Sequence, residues 1–334
     1  MNNKTNSLNF IKRLIGIFII PISVFIIMSI ACNVMNLTYI DQGNLNNFIL
    51  NTVYITFIAL GIFFNIPSGR FDFSVGSIVV LSSIIGGRLA LQLGLESTGL
   101  LLMCLIIGAI LGAISGLVYI SLGLPATVVS LGIALIFEAL TFILYSGKGI
   151  VLIGKNEMLN IISTQKVVPL ALIVIFIVFI IVNFTKFGYN YKALCNGQHI
   201  AVNTGINEKL NAVICYALCG ALTSLAGVIT LSRTGTTSAS LGLSSIMVMF
   251  SGFLPLFIGG IIAKYSEDVT GIFLGAISSS LLNTGFAALG YSLSVQNIIG
   301  AFLLLGFLVY SMNQHKFKEF AEIRKRKKEV SMTS

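Results

Sequence analysis

The sequence predicts an all-α polytopic membrane protein of about ten transmembrane helices, followed by a short basic tail. Three observations carry that prediction. Of 334 residues, 56% are hydrophobic and only 9% are charged, whereas a soluble domain is roughly 25% charged. Mean hydropathy is +0.98, so most of the chain needs an apolar solvent, which a bilayer supplies. The apolar residues come in long runs rather than short alternating segments, which excludes a β-barrel. The same composition excludes a disordered, collagen-like or disulfide-stapled chain.

A span needs roughly 20 mostly apolar residues. Runs of that kind cover 10–31, 48–64, 74–93, 98–122, 127–145, 167–184, 211–231, 243–263, 270–289 and 294–312. The first follows Lys12 and Arg13 and contains Pro21; its length reads as an uncleaved first helix rather than a signal peptide. The third begins at Ser74, with Asp72 just before it, a pattern that suits a helix cap. The fourth carries Gly108, Gly112 and Gly116, a small-residue ridge that lets helices approach closely. The seventh and ninth repeat the theme with Gly220, Ser224, Gly227, Gly271 and Gly275.

Glu138 is the one acid clearly inside a span, the fifth. An acid there is costly and marks a functional position by default; the alternative is a paired glutamate that holds two helices. Between the sixth and seventh spans, residues 186–210 form a connection far longer than its neighbours, solvated by Lys186, Lys192, Glu208 and Lys209. Pro255 interrupts the eighth span, where a kink is expected. Residues 1–312 thus form a transmembrane domain and 313–334 a basic tail. Two five-span halves of opposite orientation are compatible with the count.

The charge balance of +9 is an address. With the N-terminus inside and spans alternating, fifteen of the 20 Lys and Arg residues fall on the cytoplasmic side. Both termini are then cytoplasmic. The run Arg324, Lys325, Arg326, Lys327 and Lys328 reads as a topology anchor on anionic lipid rather than a nucleic-acid site.

Catalytic machinery is not visible. Cys215 and Cys219 share a helix face, but no His, Asp or Glu in that span completes a metal set. The stretch from Gly149 to Asn156 imitates a phosphate-binding loop, yet ends in Asn where Ser or Thr must ligand magnesium. ATP binding on this chain is therefore rejected, and no cofactor or metal is expected on it.

Three stretches carry a resemblance. Gly69, Asp72, Ser74, Val75, Gly76 and Ser77 match the G-G-x-D-L-S-V-G-S signature of ribose-type membrane subunits of ATP-binding cassette importers. The helix from Thr127 through Leu131-Gly132 to Phe137-Glu138-Ala139-Leu140 is similar to the same family's T-L-G…F-R-G-L helix, with Glu138 in place of the usual Arg. Lys192, Ala193, Asn196 and Gly197, then Gly205, Ile206 and Asn207, resemble its cytoplasmic A-x-G-x-N…G-I-N loop. The likeness covers about 51–312 and fades after residue 235.

The resemblance implies a permease that is not itself an enzyme. The loop would form a short coupling helix docked on a cytoplasmic ATPase, which binds the ATP and magnesium. A second permease subunit, identical or not, and an extracytoplasmic solute-binding protein would complete an importer in a bacterial plasma membrane. Gly69, Asp72, Ser74 and Gly76 become candidates for the translocation path, and Glu138 joins them as an acid inside a span, with no role carried over from the family's Arg. A path poor in fixed charge suits a small neutral solute: a sugar such as ribose first, then autoinducer-like sugars, nucleosides or branched-chain amino acids. Two other readings stay open: an ion-coupled secondary transporter, resting on Glu138 and Pro255, and a non-transport assembly or sensor protein.

Overall fold

Among the described residues the apolar runs fold mainly as helix, the eighth in two pieces. The computed structural model describes residues 2–160, 163–309 and 313; the basic run at 324–328 lies outside the described residues. In chain order the helices are α1 (Asn2–Val34), α2 (Gln42–Phe63), α3 (Val75–Gln92), α4 (Ser97–Leu122), α5 (Ala126–Ile143), α6 (Asn156–Leu159) and α7 (Thr164–Phe184). They continue as α8 (Lys186–Asn203), α9 (Glu208–Thr234), α10 (Ile246–Ser251), α11 (Phe253–Ile262) and α12 (Asp268–Ala288), then α13 (Leu293–Val309). Among the described residues, eight helical stretches are long and apolar enough to cross a membrane, and two shorter apolar ones, Ile246–Ile262 and Leu293–Val309, correspond to the eighth and tenth runs.

Local chemistry sets the boundaries. Asp41 starts α2 by accepting the Asn44 amide at 2.7 Å. Asn207 starts α9 by accepting the Leu210 amide at 3.0 Å. Gly235, at φ 71°, ends that helix, and Arg233 in its last turn complements the helix dipole.

α2, α3 and α9 lie mostly inside the bundle, while α1 and α7 are mostly exposed at its periphery. Exposed Ile15, Phe18, Ile19 and Ile22 of α1 belong on a lipid-facing surface. In lipid, helices associate through close packing rather than expulsion of water. The small-residue stripes serve that packing. A Cβ on Gly108 or Gly112 of α4 would run into the Gly220 or Tyr216 carbonyl of α9. The α11–α12 pair uses Gly259, Gly271 and Gly275 in the same way.

One small antiparallel pair joins β1 (Ile150–Val151) to β2 (Thr236–Thr237). Arg88 of α3 ties it down, donating from Nε and Nη2 to the Gly149 carbonyl at 3.2 and 2.9 Å. The guanidinium also lies 4.6 Å from the centre of the Tyr145 ring. The stretch that imitates a phosphate loop is thus part of a clasp.

The eighth span departs from expectation. It is not one helix kinked at Pro255. Residues 238–241 carry no helix, a turn follows at 242–245, and the helical part is broken at Gly252 between α10 and α11. Gly252 packs so closely on α2 that a Cβ would press on Ile58 and Ile62. Pro255 sits in the first turn of α11, where a missing amide hydrogen leaves no helix bond unmade.

Candidate functional site

The centre of the bundle holds two helix starts that meet backbone to backbone. A Cβ on Gly76, at the start of α3, would overlap the carbonyl of Ser245, the residue just before α10. Only glycine permits that approach. Each helix start is served by one buried acid.

Asp72 is the local one, 3% exposed. One of its oxygens accepts from the Ser74 amide at 2.9 Å and the Ser74 hydroxyl at 2.6 Å. The other accepts from the Asn65 side chain at 3.3 Å. Ser74 occupies the cap position as expected, but its hydroxyl makes no cap bond to the helix; it is spent on Asp72. Gly69 closes the preceding turn at φ 75° and leaves open space where a Cβ would stand, so its conformation is what selects glycine. Arg70 is buried as well, with one guanidinium nitrogen donating to the Ser68 hydroxyl at 3.2 Å.

Glu138 is the remote one, 1% exposed. Oε2 accepts from the Leu243 amide at 2.7 Å. Oε1 accepts from the Ser245 amide at 2.9 Å and the Ser245 hydroxyl at 2.6 Å. Three residues on, the Thr141 hydroxyl accepts from the Ser240 amide at 2.9 Å, and its own proton is shared between the Glu138 carbonyl at 2.7 Å and the Ser240 carbonyl at 3.1 Å. Two side chains of α5 therefore hold the non-helical backbone of 240–245. Non-helical backbone at membrane depth survives only where protein satisfies it. Leu243 stands at φ 65°, a left-handed conformation that costs a bulky residue about 1–2 kcal/mol. The bond to Glu138 helps to fix it there.

α5 also reaches the other helix start. The Ser130 hydroxyl donates to the Phe71 carbonyl at 3.2 Å, and Phe71 stacks on Phe253 of α11 with ring centres 5.3 Å apart. Asp72, Ser74, Gly76 and Glu138 thus converge on one centre, with Gly69 at the turn leading into it. Glu138 on α5 accepts from Leu243 and Ser245, just ahead of α10, and so holds two elements together.

The third predicted region is a separate assembly at one end of the bundle. The long connection 186–210 contains an 18-residue helix, α8, rather than a loop with a short helix, and the helix breaks at Gly197. Its first half is bolted down. Thr185 caps it by accepting the Gly188 amide at 3.1 Å, and a Cβ on Gly188 would collide with the end of α7. The buried Tyr191 hydroxyl donates to the Phe63 carbonyl of α2, within a ring cluster of Phe63, Phe64 and Phe187. Burial pushes the Tyr191 hydroxyl and the Cys195 thiol up, so neither ionises near neutral pH.

The second half of α8 is free on its outer side. Asn196, Gln198, His199 and Thr204 are exposed, and Ile200 is 74% exposed. Gly205 reverses the chain at φ 91°, and Asn207 then starts α9. Ile206, half-buried, donates its amide to the Ala201 carbonyl at 3.2 Å. Lys192 and Asn196 line a cavity of about 540 Å³ between α8 and the α11–α12 turn, with Lys264 and Asp268 on its far wall; Ala193 is half-buried beside them on α8.

Sequence reasoning missed Thr141 and Arg70. The spacing of Thr141 three residues after Glu138, on one helix face, was the available signal. Among the described residues no group of three His, Cys, Asp or Glu side chains could hold a metal. Cys32, Cys104, Cys195, Cys215 and Cys219 are all free thiols.

The family model described as branched-chain amino acid transport system / permease component matches residues 44–308. The ribose import permease protein RbsC of Escherichia coli (strain K12) is 27% identical over 278 residues, 79% of this chain and 84% of the relative. The D-allose transport system permease protein AlsC of the same strain is 24% identical over 250 residues, 73% of this chain and 77% of the relative. The autoinducer 2 import system permease protein LsrC of Photorhabdus luminescens is 27% identical over 300 residues, covering 85% of this chain and 88% of the relative. No solved structure gives a significant match.

Proposed function

The chain belongs to the branched-chain amino acid transport system / permease component family, in its ribose-type branch, and from that premise we propose that it is the membrane-spanning permease subunit of an ATP-binding cassette importer. Its cargo is a small polar solute, with sugars such as ribose the leading class; relatives are named for ribose, D-allose and autoinducer 2 import. Energy comes from a separate cytoplasmic ATPase, which holds the ATP and magnesium. A second permease subunit and an extracytoplasmic solute-binding protein complete the machine, in a bacterial plasma membrane with both termini inside.

The single observation that carries this reading is α8. Its first half is fixed to α2 through Tyr191 and to α7 through Gly188. Its second half presents Ile200 and Val202 beside Asn196, Gln198 and His199. An exposed apolar pair on an otherwise polar helix, outside the spans, suits docking to another protein. Through this helix, closure of the ATPase dimer would push the tip, and the anchors would carry the push into α2, α7 and α9. Lys192, Ala193, Asn196, Gly197, Gly205, Ile206 and Asn207 are assigned to this coupling element.

The helix starts at Ser74 and Ser245 fit the same scheme. They belong to the third and eighth apolar segments, corresponding members of two five-segment halves. The eighth is interrupted and the third is one continuous helix; interrupted segments at the junction of two halves are a pointer to a transport path. Gly69, Asp72, Ser74, Gly76 and Glu138 are assigned to holding these two starts beside the path. An ion-coupled carrier loses its main support, because Glu138 is occupied by backbone donors and Pro255 makes no break.

The test is co-purification of the chain with its cytoplasmic ATPase, before and after Ile200→Asp together with Val202→Asp. The intact chain should retain the ATPase, and the variant should lose it while still inserting in the membrane. Undiminished retention by the variant would contradict the coupling assignment.

A further inference from the structure

A polar cavity of about 340 Å³ opens at the end of the bundle opposite α8, within the range of small-molecule sites. It lies between α2, α12, the end of α9 and the start of α13. Five carboxamides line it: Asn44, Asn47, Asn51, Asn283 and Gln296. The first three stand at i, i+3 and i+7, so they form one stripe on the opening turns of α2. Arg233 of α9 joins them and donates to the Asn47 side chain at 3.5 Å.

The chemistry of this lining is selective. A carboxamide offers both donors and an acceptor, as a hydroxyl does. Gln296 spends one donor on the Tyr291 carbonyl at 2.8 Å and Asn51 one on Ser280. The capacity that remains on these two, with Asn44, Asn47 and Asn283, matches a ligand carrying several hydroxyls. Among the described residues no carboxylate lines the cavity, and Arg233 is its one charged group. Ala287, Ala288 and Leu293 supply apolar wall, which suits the C–H faces of a sugar ring. The floor is held, since the Asn51 side chain donates to Ser280 at 3.3 Å and the Ser280 hydroxyl donates to the Phe48 carbonyl at 3.2 Å.

We infer that this cavity is a receiving subsite for a neutral polyhydroxylated solute, on the face where solute arrives. The inference rests on the proposed importer reading and its orientation. The same two helices, α2 and α12, carry the α8-side cavity at their other ends through Phe63, Asp268 and Ile272. A rigid tilt of α2 against α12 would therefore change both cavities together.

The experiment uses the full complex in right-side-out vesicles and an Ala287→Cys reporter on the cavity wall. Ala287 is exposed, whereas Cys32, Cys104, Cys215 and Cys219 are buried, and Cys195 lies at the other end of the bundle. A membrane-impermeant methanethiosulfonate should label the reporter from outside. A mixture of neutral pentoses and hexoses, at about ten times the dissociation constant, should slow labelling roughly tenfold. Adding Asn47→Ala and Asn51→Ala should abolish that protection. An unchanged rate with sugar overturns the subsite. So does protection of equal size by acetate or leucine, or protection that survives the double amide variant. ATP-dependent uptake by the same vesicles, measured in parallel, separates the two claims: uptake without protection refutes the subsite alone, and absence of any ATPase-dependent uptake refutes the importer reading.

Discussion

Asp72 and Glu138 meet the same physical problem in different ways. Both are buried carboxyl groups beside the start of a helix, and both accept from a backbone amide and a serine hydroxyl. Asp72 finds its serine two residues away. Glu138 finds its serine 107 residues away, on a different membrane segment. The first is a local turn that the chain forms whenever those residues are adjacent. The second exists only when α5 and the segment before α10 are already side by side. A short-range acid therefore shapes one element, whereas a long-range acid decides how two elements are joined.

That difference can be broken by mutation. Glu138→Leu should have the largest effect, because it strands the amides of Leu243 and Ser245 and the Ser245 hydroxyl. At about 1–3 kcal/mol for each buried group left unpaired, the three together come to about 3–9 kcal/mol. Thermal unfolding in detergent should show it, and Glu138→Gln, which retains one acceptor oxygen, should recover part. Equal stability of Glu138→Leu and the parent would refute the joining role.

Gly76→Ala comes next. Its added carbon meets backbone rather than a movable side chain, so about 1–3 kcal/mol of overpacking is expected, together with lost uptake. Asp72→Asn should cost only about 1 kcal/mol, since an amide oxygen still accepts from Ser74. A cost matching that of Glu138→Leu would erase the distinction between the two acids. Thr141→Val removes the acceptor of the Ser240 amide and should cost about 1 kcal/mol by the same measurement. Gly205→Val should cost about 1–2 kcal/mol of stability through its left-handed backbone, and change coupling most. No neighbour lies within 4 Å of a Cβ there, but the positive φ resists a branched residue. ATP hydrolysis without solute uptake is the expected phenotype, and normal coupled uptake would count against the role of that turn.

The comparison also explains what could be read from sequence. Most of the spans, the glycine ridges of α4 and α9 and the position of Ser74 at the start of α3 rest on residues a few places apart and are legible, although the Ser74 hydroxyl turns to Asp72 and not to the helix. Also legible is the choice posed for Glu138 between a functional acid and one holding two helices, although its partners are not. Nothing local marks Leu243 or Ser245 as those partners. The break in the eighth segment was placed at Pro255 because proline is the strongest local breaker. Contact with α2 put it at Gly252 instead. The Asn44, Asn47 and Asn51 stripe had the period of a helix face and could have been found, but its opposing walls come from α9, α12 and α13, which only folding brings near.

The central claim is that α8 carries work from a partner ATPase into this bundle. Uptake of labelled sugar by proteoliposomes tests it most directly, with the chain reconstituted alone or with its ATPase, second permease subunit and solute-binding protein. The account predicts uptake only when the ATPase and ATP are both present, and loss of that uptake in the Ile200→Asp, Val202→Asp variant. Uptake by the chain alone under an ion gradient would contradict it.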